Sequence, residues 1–430
     1  MGMSIGARAR HQIVGGSRSS EDRLLLACVR RRGDPTEIRT LLGSNLDWER
    51  LLGAATHLGI APLVYTTLMA MADRATVPPA VMERSAHLYY RQAMLNGRRY
   101  GELRKILAEC ARAGIRVLVL KGAAIAERVY GNIALCPMRD LDFMVERNDL
   151  AATDRLLREM GYVPDESCHS AAWYRDHHHH LTPYGRPDRR AWVEVHHHIL
   201  PPPASVRIPV EDLWRRARPI SAGGALGLCP EDLLLHLCLH VSMQHQFCLG
   251  LRPVCDIAAT IGHYGDEIDW KQVRHRTCQW AVRKSVYLTL RLARDLVDAA
   301  VPEDLLDSLQ PEGFDPQVIV WARAQIFADE RPIPSPPSNL AQLCGPKGAR
   351  EKGALFLQSV FPSPKVMAEL YRASPDSKRI YLYYPVRWRD LLRRHGRSAW
   401  RFLRRDDVMM DLAERENQKT ALSDWLASVQ

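Results

Sequence analysis

Two aspartates one residue apart inside a short apolar run constrain the fold of this chain most strongly. Asp140 and Asp142 stand in the stretch "MRDLDFMVE", residues 138–146. The apolar residues around them are typical of a buried strand, in which side chains two positions apart point to the same face. A buried unpaired carboxylate is costly, and two close together need a counter-charge. The pattern therefore predicts either a salt bridge, with Arg139 or Arg116 as candidates, or a divalent metal ion.

Strand and helix patterns alternate around these aspartates, whereas the rest of the chain has helical patterns. The β-branched and leucine-rich run 115–120 lies between two glycines and predicts a second buried strand. Residues 149–161 have the periodicity of an amphipathic helix. The runs 177–184 and 191–199 flank a turn-rich segment, which predicts an antiparallel hairpin. We therefore predict a small α/β core inside a helical chain.

A third carboxylate follows in the second arm of the predicted hairpin. Glu194 shares its strand face with Trp192 and His196. If residues 191–198 pair beside 140–145, three carboxylates converge in an oxygen-rich arrangement that suits magnesium. Two such ions hold the attacking and leaving oxygens in line for phosphoryl or nucleotidyl transfer.

A strand, a glycine turn and a helix precede the aspartates in "LVLKGAAIAERVYG". Free backbone N–H groups at the start of a helix form an anion site that suits a triphosphate. Lys121 at this turn would add a positive charge to the phosphates. The alternative is a surface ion pair between Lys121 and an acid such as Glu127.

Histidines cluster in the two arms of the predicted hairpin, at 177–180 and 196–198. Strand alternation splits each run across both faces, so a single site from all seven is not expected. A zinc site would require four of them on one face: His178, His180, His196 and His198. His196, on the face of Glu194, is a candidate contact for the acceptor or a phosphate.

Two further histidines, His236 and His240, lie one helical turn apart in a later helix. They would face the nucleotide or pack in the core. The packing alternative, which includes an ion pair between Arg252 and Asp256, is favoured because residues four apart meet on a helix face.

The ordered set of motifs resembles the nucleotidyltransferase superfamily, and more narrowly its branch of uncharacterised nucleotidyltransferases. The resemblance spans roughly residues 45–295. It is carried by Lys121-Gly122, Tyr130-Gly131, Pro137-Met138-Arg139 leading to Asp140-x-Asp142, and Glu194-x-His196.

The resemblance implies an α+β fold in which a small mixed-sheet core carries the aspartates and is embedded in a predominantly helical chain. It also implies two Mg²⁺ ions, with Mn²⁺ as a substitute, and a nucleoside triphosphate. Asp140 and Asp142 would bind both metals, and Glu194 would bind the catalytic one and help activate an acceptor hydroxyl. A nucleoside monophosphate, most simply AMP from ATP, would pass to a small molecule, peptide or protein with release of pyrophosphate. The expected nucleotide contacts are Lys121, Gly122, Ala123, Arg139 and His196.

One residue departs from the superfamily pattern, which usually has Gly-Ser or Gly-Gly at the turn. Ala123 follows Gly122 here, so phosphate binding would depend on backbone N–H groups and Lys121. Two alternatives therefore stay open: a phosphotransferase that uses the same metal site, and a catalytically inactive nucleotide-binding or regulatory protein.

The length of 430 residues, with 46% hydrophobic residues, predicts two or three domains. The expected segments are a disordered N-terminus (1–20), a helical region (21–100), the catalytic core (101–200), a second helical region (201–309), a Pro-rich linker (310–347) and a basic helical C-terminal region (348–430).

The net charge of +10 is concentrated near the C-terminus, where residues 372–405 hold eleven Lys or Arg and two Asp. The remainder is close to neutral, so a nucleic-acid partner is not expected. The sequence has neither an apolar signal region nor a run long enough to span a membrane. Its ten cysteines form no C-x-x-C pair. We therefore expect a cytoplasmic protein without a transmembrane segment.

Overall fold

The computed structural model describes most of the chain up to residue 328 and shorter segments beyond it. The described residues are 19–31, 33–71, 76–167, 171–187, 191–220, 224–328, 361–364, 367, 378–390, 393 and 407–428. The chain forms two compact units, the first ending at Ile319 and the second running from Val320 to Ser428. The predictions for residues 1–18 and for 329–347 lie outside the described residues.

Helices form most of the first unit, and several begin where an aspartate side chain caps the N-terminus. The Asp47 carboxylate accepts the backbone N–H of Arg50 at 3.0 Å, as expected for an N-cap. The helices up to the last strand are α1 (Ser20–Val29), α2 (Pro35–Leu42), α3 (Trp48–His57), α4 (Ala61–Ala70), α5 (Pro79–Arg112), α6 (Lys121–Ile125), α7 (Leu150–Glu159), α8 (Ala171–His177) and α9 (Val210–Arg216). After it come α10 (Pro230–Leu239), a π-helical turn (His240–Gln244), α11 (Arg252–Tyr264), α12 (Trp270–Gln279), α13 (Arg283–Val297) and α14 (Glu303–Leu309).

Seven strands in the described residues form one mixed sheet, which confirms the predicted α+β class. They are β1 (Leu118–Val119), β2 (Leu141–Met144), β3 (Val163–Pro164), β4 (Tyr184–Gly185), β5 (Trp192–His196), β6 (Arg218–Pro219) and β7 (Leu226–Gly227). Their order across the sheet is β3-β4-β5-β2-β1-β7-β6. The central strand β2 runs parallel to β5 and antiparallel to β1.

The predicted hairpin is only partly a pair of strands. The first arm starts in helix α8, where Trp173 stacks on His177 one turn later. Pairing with β5 then occurs at β4 and at a bridge between His180 and His196. The prediction of a strand from residue 177 was wrong at its start, because the helical contact four residues apart was overlooked.

Helix α5 positions the backbone on either side of the two central strands, before β2 and after β1. The buried Asn96 side chain donates hydrogen bonds to the carbonyls of Cys136, at 2.9 Å, and Ile133. One turn later the Tyr100 hydroxyl donates to the Ala123 carbonyl at 2.8 Å. These bonds fix the backbone just before β2 and just after β1.

The C-terminal part differs from the expected linker in one element. Helix α15 (Gln317–Ile326) lies inside the segment 310–347, because its apolar residues precede the dense prolines that begin at Pro332. The second unit further contains a 3₁₀ turn (Lys378–Leu382) and helix α16 (Asp407–Ala427). None of the helices in the described part of the chain has the length and apolarity needed to cross a bilayer.

Candidate metal and nucleotide site

The strand pairing brings two of the predicted carboxylates together. Asp142 on β2 lies directly opposite Glu194 on β5, as the sequence predicted. Asp142 is buried, whereas the Glu194 side chain is 23% exposed. His196 completes the group: one ligand atom from each of the three residues lies within 4.8 Å of the other two. This face of the sheet therefore brings together three side chains of types that can ligate a metal ion.

Lys121 supplies the counter-charge that the buried aspartate requires. Its Nζ donates to Oδ1 of Asp142 at 2.6 Å and lies 3.8 Å from Oε2 of Glu194. The alternative of an ion pair between Lys121 and an acid such as Glu127 therefore holds with Asp142 as the acid, but the pair is largely buried and does not lie at the surface. The backbone of Lys121 has a φ of +48°, a left-handed conformation that is unfavourable for a side chain of this size. The turn thus holds the ammonium group against the carboxylates at a conformational cost.

Neither arginine proposed as a salt-bridge partner contacts Asp142 in the described structure. Arg116 pairs with Glu146 at 3.3 Å, near the end of β2. Arg139 is exposed just before the strand. Its predicted contact with a nucleotide stays a prediction.

His196 links the two carboxylates from within the sheet. Its Nε2 donates to Oδ1 of Asp142 at 2.9 Å and lies 3.6 Å from Oε2 of Glu194. Burial and the Lys121 charge disfavour protonation of His196, but the bonds to both carboxylates leave its pKa raised. Burial likewise opposes ionisation of Asp142, yet Lys121 and His196 hold its pKa well below the usual range. Asp142 is therefore a stable anion.

Asp140 lies beside this group and responds to its charge. Burial, followed by the negative charges of Asp142 and Glu194, raises the pKa of Asp140 to about 7. Arg99 of helix α5 also interacts electrostatically with Asp140. A further positive charge close to Asp140 would lower its pKa and favour the ionised form.

Close packing explains the sequence of the turn that carries Lys121. A Cβ atom at Gly122 would lie 2.7 Å from Cγ of Met138, so a side chain there would displace the methionine. Ala123 is buried, and its carbonyl accepts the bond from Tyr100. Helix α6 has five residues, so phosphate binding would depend mainly on Lys121 and little on a helix dipole.

The four-histidine zinc set is not assembled. Both ring nitrogens of His198 bond to the backbone, Nε2 with the Ile208 carbonyl at 3.0 Å and Nδ1 with the N–H of Leu200 at 3.2 Å. In the described chain, the histidines whose ligand atoms converge are instead His178, His179 and His180. The Nε2 atom of His180 lies 3.9 Å from Oε2 of Glu194.

The structure agrees with the packing alternative for the helix that carries His236. His236 is fully buried, and Arg252 pairs with Asp256 as the packing interpretation expected. The Tyr130 hydroxyl also donates to Asp256, at 2.9 Å. This gives the Tyr-Gly motif a structural role.

The residues of helix α5 that hold the site were not predicted from the sequence. Asn96 and Tyr100 donate hydrogen bonds to backbone carbonyls near it. The positive charge of Arg99 interacts with Asp140. A signal was present, because Asn96 and Tyr100 are polar residues four apart on one face of a long helix.

Comparison with known proteins assigns the family. A family model described as uncharacterised nucleotidyltransferase matches residues 44–298, which is more than half of the chain. The chain therefore belongs to this family of uncharacterised nucleotidyltransferases, and the matched region contains the sheet with Lys121, Asp142 and Glu194. No curated protein and no solved structure matches the chain.

Proposed function

We propose that this protein is a divalent-metal-dependent nucleotidyltransferase. A nucleoside monophosphate, most simply AMP from ATP, passes to a hydroxyl of a small molecule, peptide or protein, and pyrophosphate is released. The observation that carries the proposal is the register of β2 and β5, which sets Asp142 opposite Glu194. The family assignment independently supports nucleotidyl transfer.

The side chains present fit a magnesium or manganese ion. Asp142, Glu194 and the adjacent Asp140 offer the oxygen ligands that Mg²⁺ prefers, and His196 adds a nitrogen that Mn²⁺ accepts. When bound, such ions supply Lewis-acid activation of the phosphate oxygens and a template for in-line attack.

Lys121 has two roles in this proposal. Without substrate, its ammonium group neutralises Asp142 at 2.6 Å. With a cation held by the carboxylates, Asp142 would not need this partner, and Lys121 would turn to the phosphate oxygens of the triphosphate. One short side chain movement thus exchanges a carboxylate contact for a phosphate contact.

Glu194 is the carboxylate best placed to meet the acceptor, because its side chain is the most exposed of the three converging groups. It orients the acceptor hydroxyl and takes its proton as the oxygen attacks the α-phosphorus. The bond from that phosphorus to the bridging oxygen breaks, and pyrophosphate leaves with the electron pair.

The test is transfer of label from ATP to candidate acceptors, followed by the mass of the modified acceptor. Addition of a nucleotide mass, with label retained from the α-phosphate, supports the proposal. Addition of a phosphate mass with label from the γ-phosphate would show a phosphotransferase instead. Metal-dependent ATP binding without any transfer would show a nucleotide-binding protein.

The matched control is Glu146→Gln, which removes an exposed carboxylate near the end of β2 that pairs with Arg116. It should keep full activity, whereas Asp142→Asn should lose it.

A further inference from the structure

Three consecutive histidines converge beside the carboxylates, on a segment that the proposed reaction does not use. His178, His179 and His180 follow the end of helix α8 at His177. The ring of His178 lies 4.5 Å from that of His179 and 4.0 Å from that of His180, between centroids. One ring nitrogen from each lies within 4.8 Å of the other two. An extended strand would turn alternate rings apart, so the helix end creates this convergence.

The environment of the rings suits metal binding. His179 and His180 are 4% and 6% exposed. Their ring nitrogens are therefore largely shielded from solvent and lie close together.

One buried ring nitrogen also lacks a partner. Within the described residues, Nδ1 of His179 makes no hydrogen bond, while its Nε2 lies 3.3 Å from the Gln244 amide nitrogen. A buried polar atom without a partner is unfavourable. A ligand at Nδ1 would remove that cost.

We propose that His178, His179 and His180 form a second metal site, for a borderline divalent cation such as Zn²⁺. Zinc takes imidazole nitrogens in a four-coordinate arrangement, whereas magnesium prefers oxygen ligands. Glu194 lies 3.9 Å from Nε2 of His180 and is the nearest candidate for a fourth, oxygen ligand. The cation would tie the loop after α8 to strand β5 and place positive charge next to Glu194. This site requires no nucleotide, so it does not depend on the proposed transfer reaction.

The test is titration of the full-length protein with zinc by calorimetry, in excess magnesium so that magnesium competes with zinc at Asp142. His179→Gln removes one ligand and keeps a polar side chain of similar size. His177→Gln is the matched control from the same run, because His177 is exposed and stacks on Trp173 outside the cluster. Asp142→Asn tests whether zinc uses the carboxylate site instead.

We expect one zinc per chain for the wild type, unchanged in His177→Gln and in Asp142→Asn. In His179→Gln the affinity should fall at least about tenfold, because loss of outer-shell partners alone costs about 10–100-fold. Three results would overturn the site. The first is an equal fall in zinc affinity in His177→Gln, which indicates nonspecific chelation by the histidine run. The second is loss of zinc binding in Asp142→Asn with His179→Gln unaffected. The third is absence of zinc binding by the wild type.

A spectroscopic measurement on the wild type covers the case in which His179→Gln fails to fold. Co²⁺ in place of zinc should give the intense visible absorption of a four-coordinate nitrogen-rich site. The weak absorption of six-coordinate, oxygen-ligated Co²⁺ would contradict the proposal.

Discussion

Two pairs of buried aspartate and histidine occur in the first unit, one on the sheet and one on helix α10. Asp142 and His196, on neighbouring strands, contact each other at 2.9 Å, and Asp142 also pairs with Lys121. Asp232 and His236 lie one turn apart on α10, and both are fully buried. The residue types are the same, but the partners differ.

On the helix, Asp232 is saturated by arginines. Its carboxylate accepts hydrogen bonds from Nε of Arg216 at 2.8 Å and from Nη1 of Arg276 at 2.9 Å. On the sheet, the group around Asp142 opens to solvent through Glu194. A closed network of this kind serves the fold, whereas an open one with a displaceable lysine can exchange its partner for a ligand. Substitutions at both places test this distinction.

The largest effect on stability is expected from Asp232→Asn. Removing one partner of a buried ion pair leaves the other uncompensated and destabilises a protein by about 3–5 kcal/mol. The free energy of unfolding, measured in urea, should fall by about that amount. Asp212→Asn is the control, because Asp212 pairs with the same Arg216 at 3.5 Å but is partly exposed. It should cost less than about 1 kcal/mol. Equal losses in the two variants would mean that Asp232 is not the centre of a closed network.

Asp142→Asn should instead act mainly on the reaction. A metal ion contributes several kcal/mol to the transition state, so the transfer rate should fall by about 10²–10³-fold. The loss of stability should be smaller than in Asp232→Asn, because Lys121 keeps Glu194 at 3.8 Å and has access to water. Labelled transfer and urea unfolding on the same sample measure both. Retained transfer with a larger loss of stability would make Asp142 a structural residue.

The sheet and the carboxylate pair could be predicted because local pattern determines them. The runs around Leu118 and Leu141 are too short and apolar for helices, so they formed strands. Once β2 and β5 were expected to be neighbours, side-chain alternation placed Asp142 and Glu194 on one face. The position of the face that carries these two carboxylates therefore followed from period and pairing alone.

The partners of that face could not be predicted, because they depend on local conformation and distant elements. Lys121 reaches Asp142 only because its backbone adopts a positive φ, which no sequence pattern signalled. The histidines converge because α8 ends at His177, where strand alternation had been assumed. Asn96 and Tyr100 act from a helix that precedes the core.

We expect His236 on helix α10 to make the free energy of unfolding depend on pH in a way that differs from His196, its counterpart in the sheet. Burial, above all, lowers the pKa of His236 from 6.5 to about 3. The unfolded chain therefore binds a proton near pH 6.5 that the folded chain does not bind until about pH 3. Above pH 6.5, His236 therefore does not reduce the free energy of unfolding. Between pH 6.5 and about pH 3, the free energy of unfolding falls as the pH falls, by at most about 1.4 kcal/mol per pH unit.

His236→Leu should remove that part of the pH dependence. Neither ring nitrogen of His236 has a hydrogen-bond partner in the described part of the chain, so the variant should also gain about 1 kcal/mol at neutral pH. The exposed His263 on α11 provides the control, and His263→Leu should leave the slope unchanged. Urea unfolding at several pH values measures both variants. An unchanged slope in His236→Leu would show that His236 is not held neutral in the fold.

Lys121→Met gives the most specific effect, because two affinities should move in opposite directions. Without nucleotide, the ammonium group competes with a divalent ion for Asp142 and Glu194, so its removal should tighten binding of Mg²⁺ or Mn²⁺. With ATP present, a charged hydrogen bond to phosphate is lost, and such bonds contribute about 1.5–3 kcal/mol, so ATP affinity should fall at least about tenfold. Calorimetry with the metal alone and then with ATP measures both affinities.

Lys105→Met is the control, since Lys105 pairs with Glu102 at 2.8 Å, away from the carboxylates. A fall in both affinities would indicate that Lys121 maintains the shape of the turn, whereas opposite changes show that one side chain serves the carboxylates and the phosphates in turn.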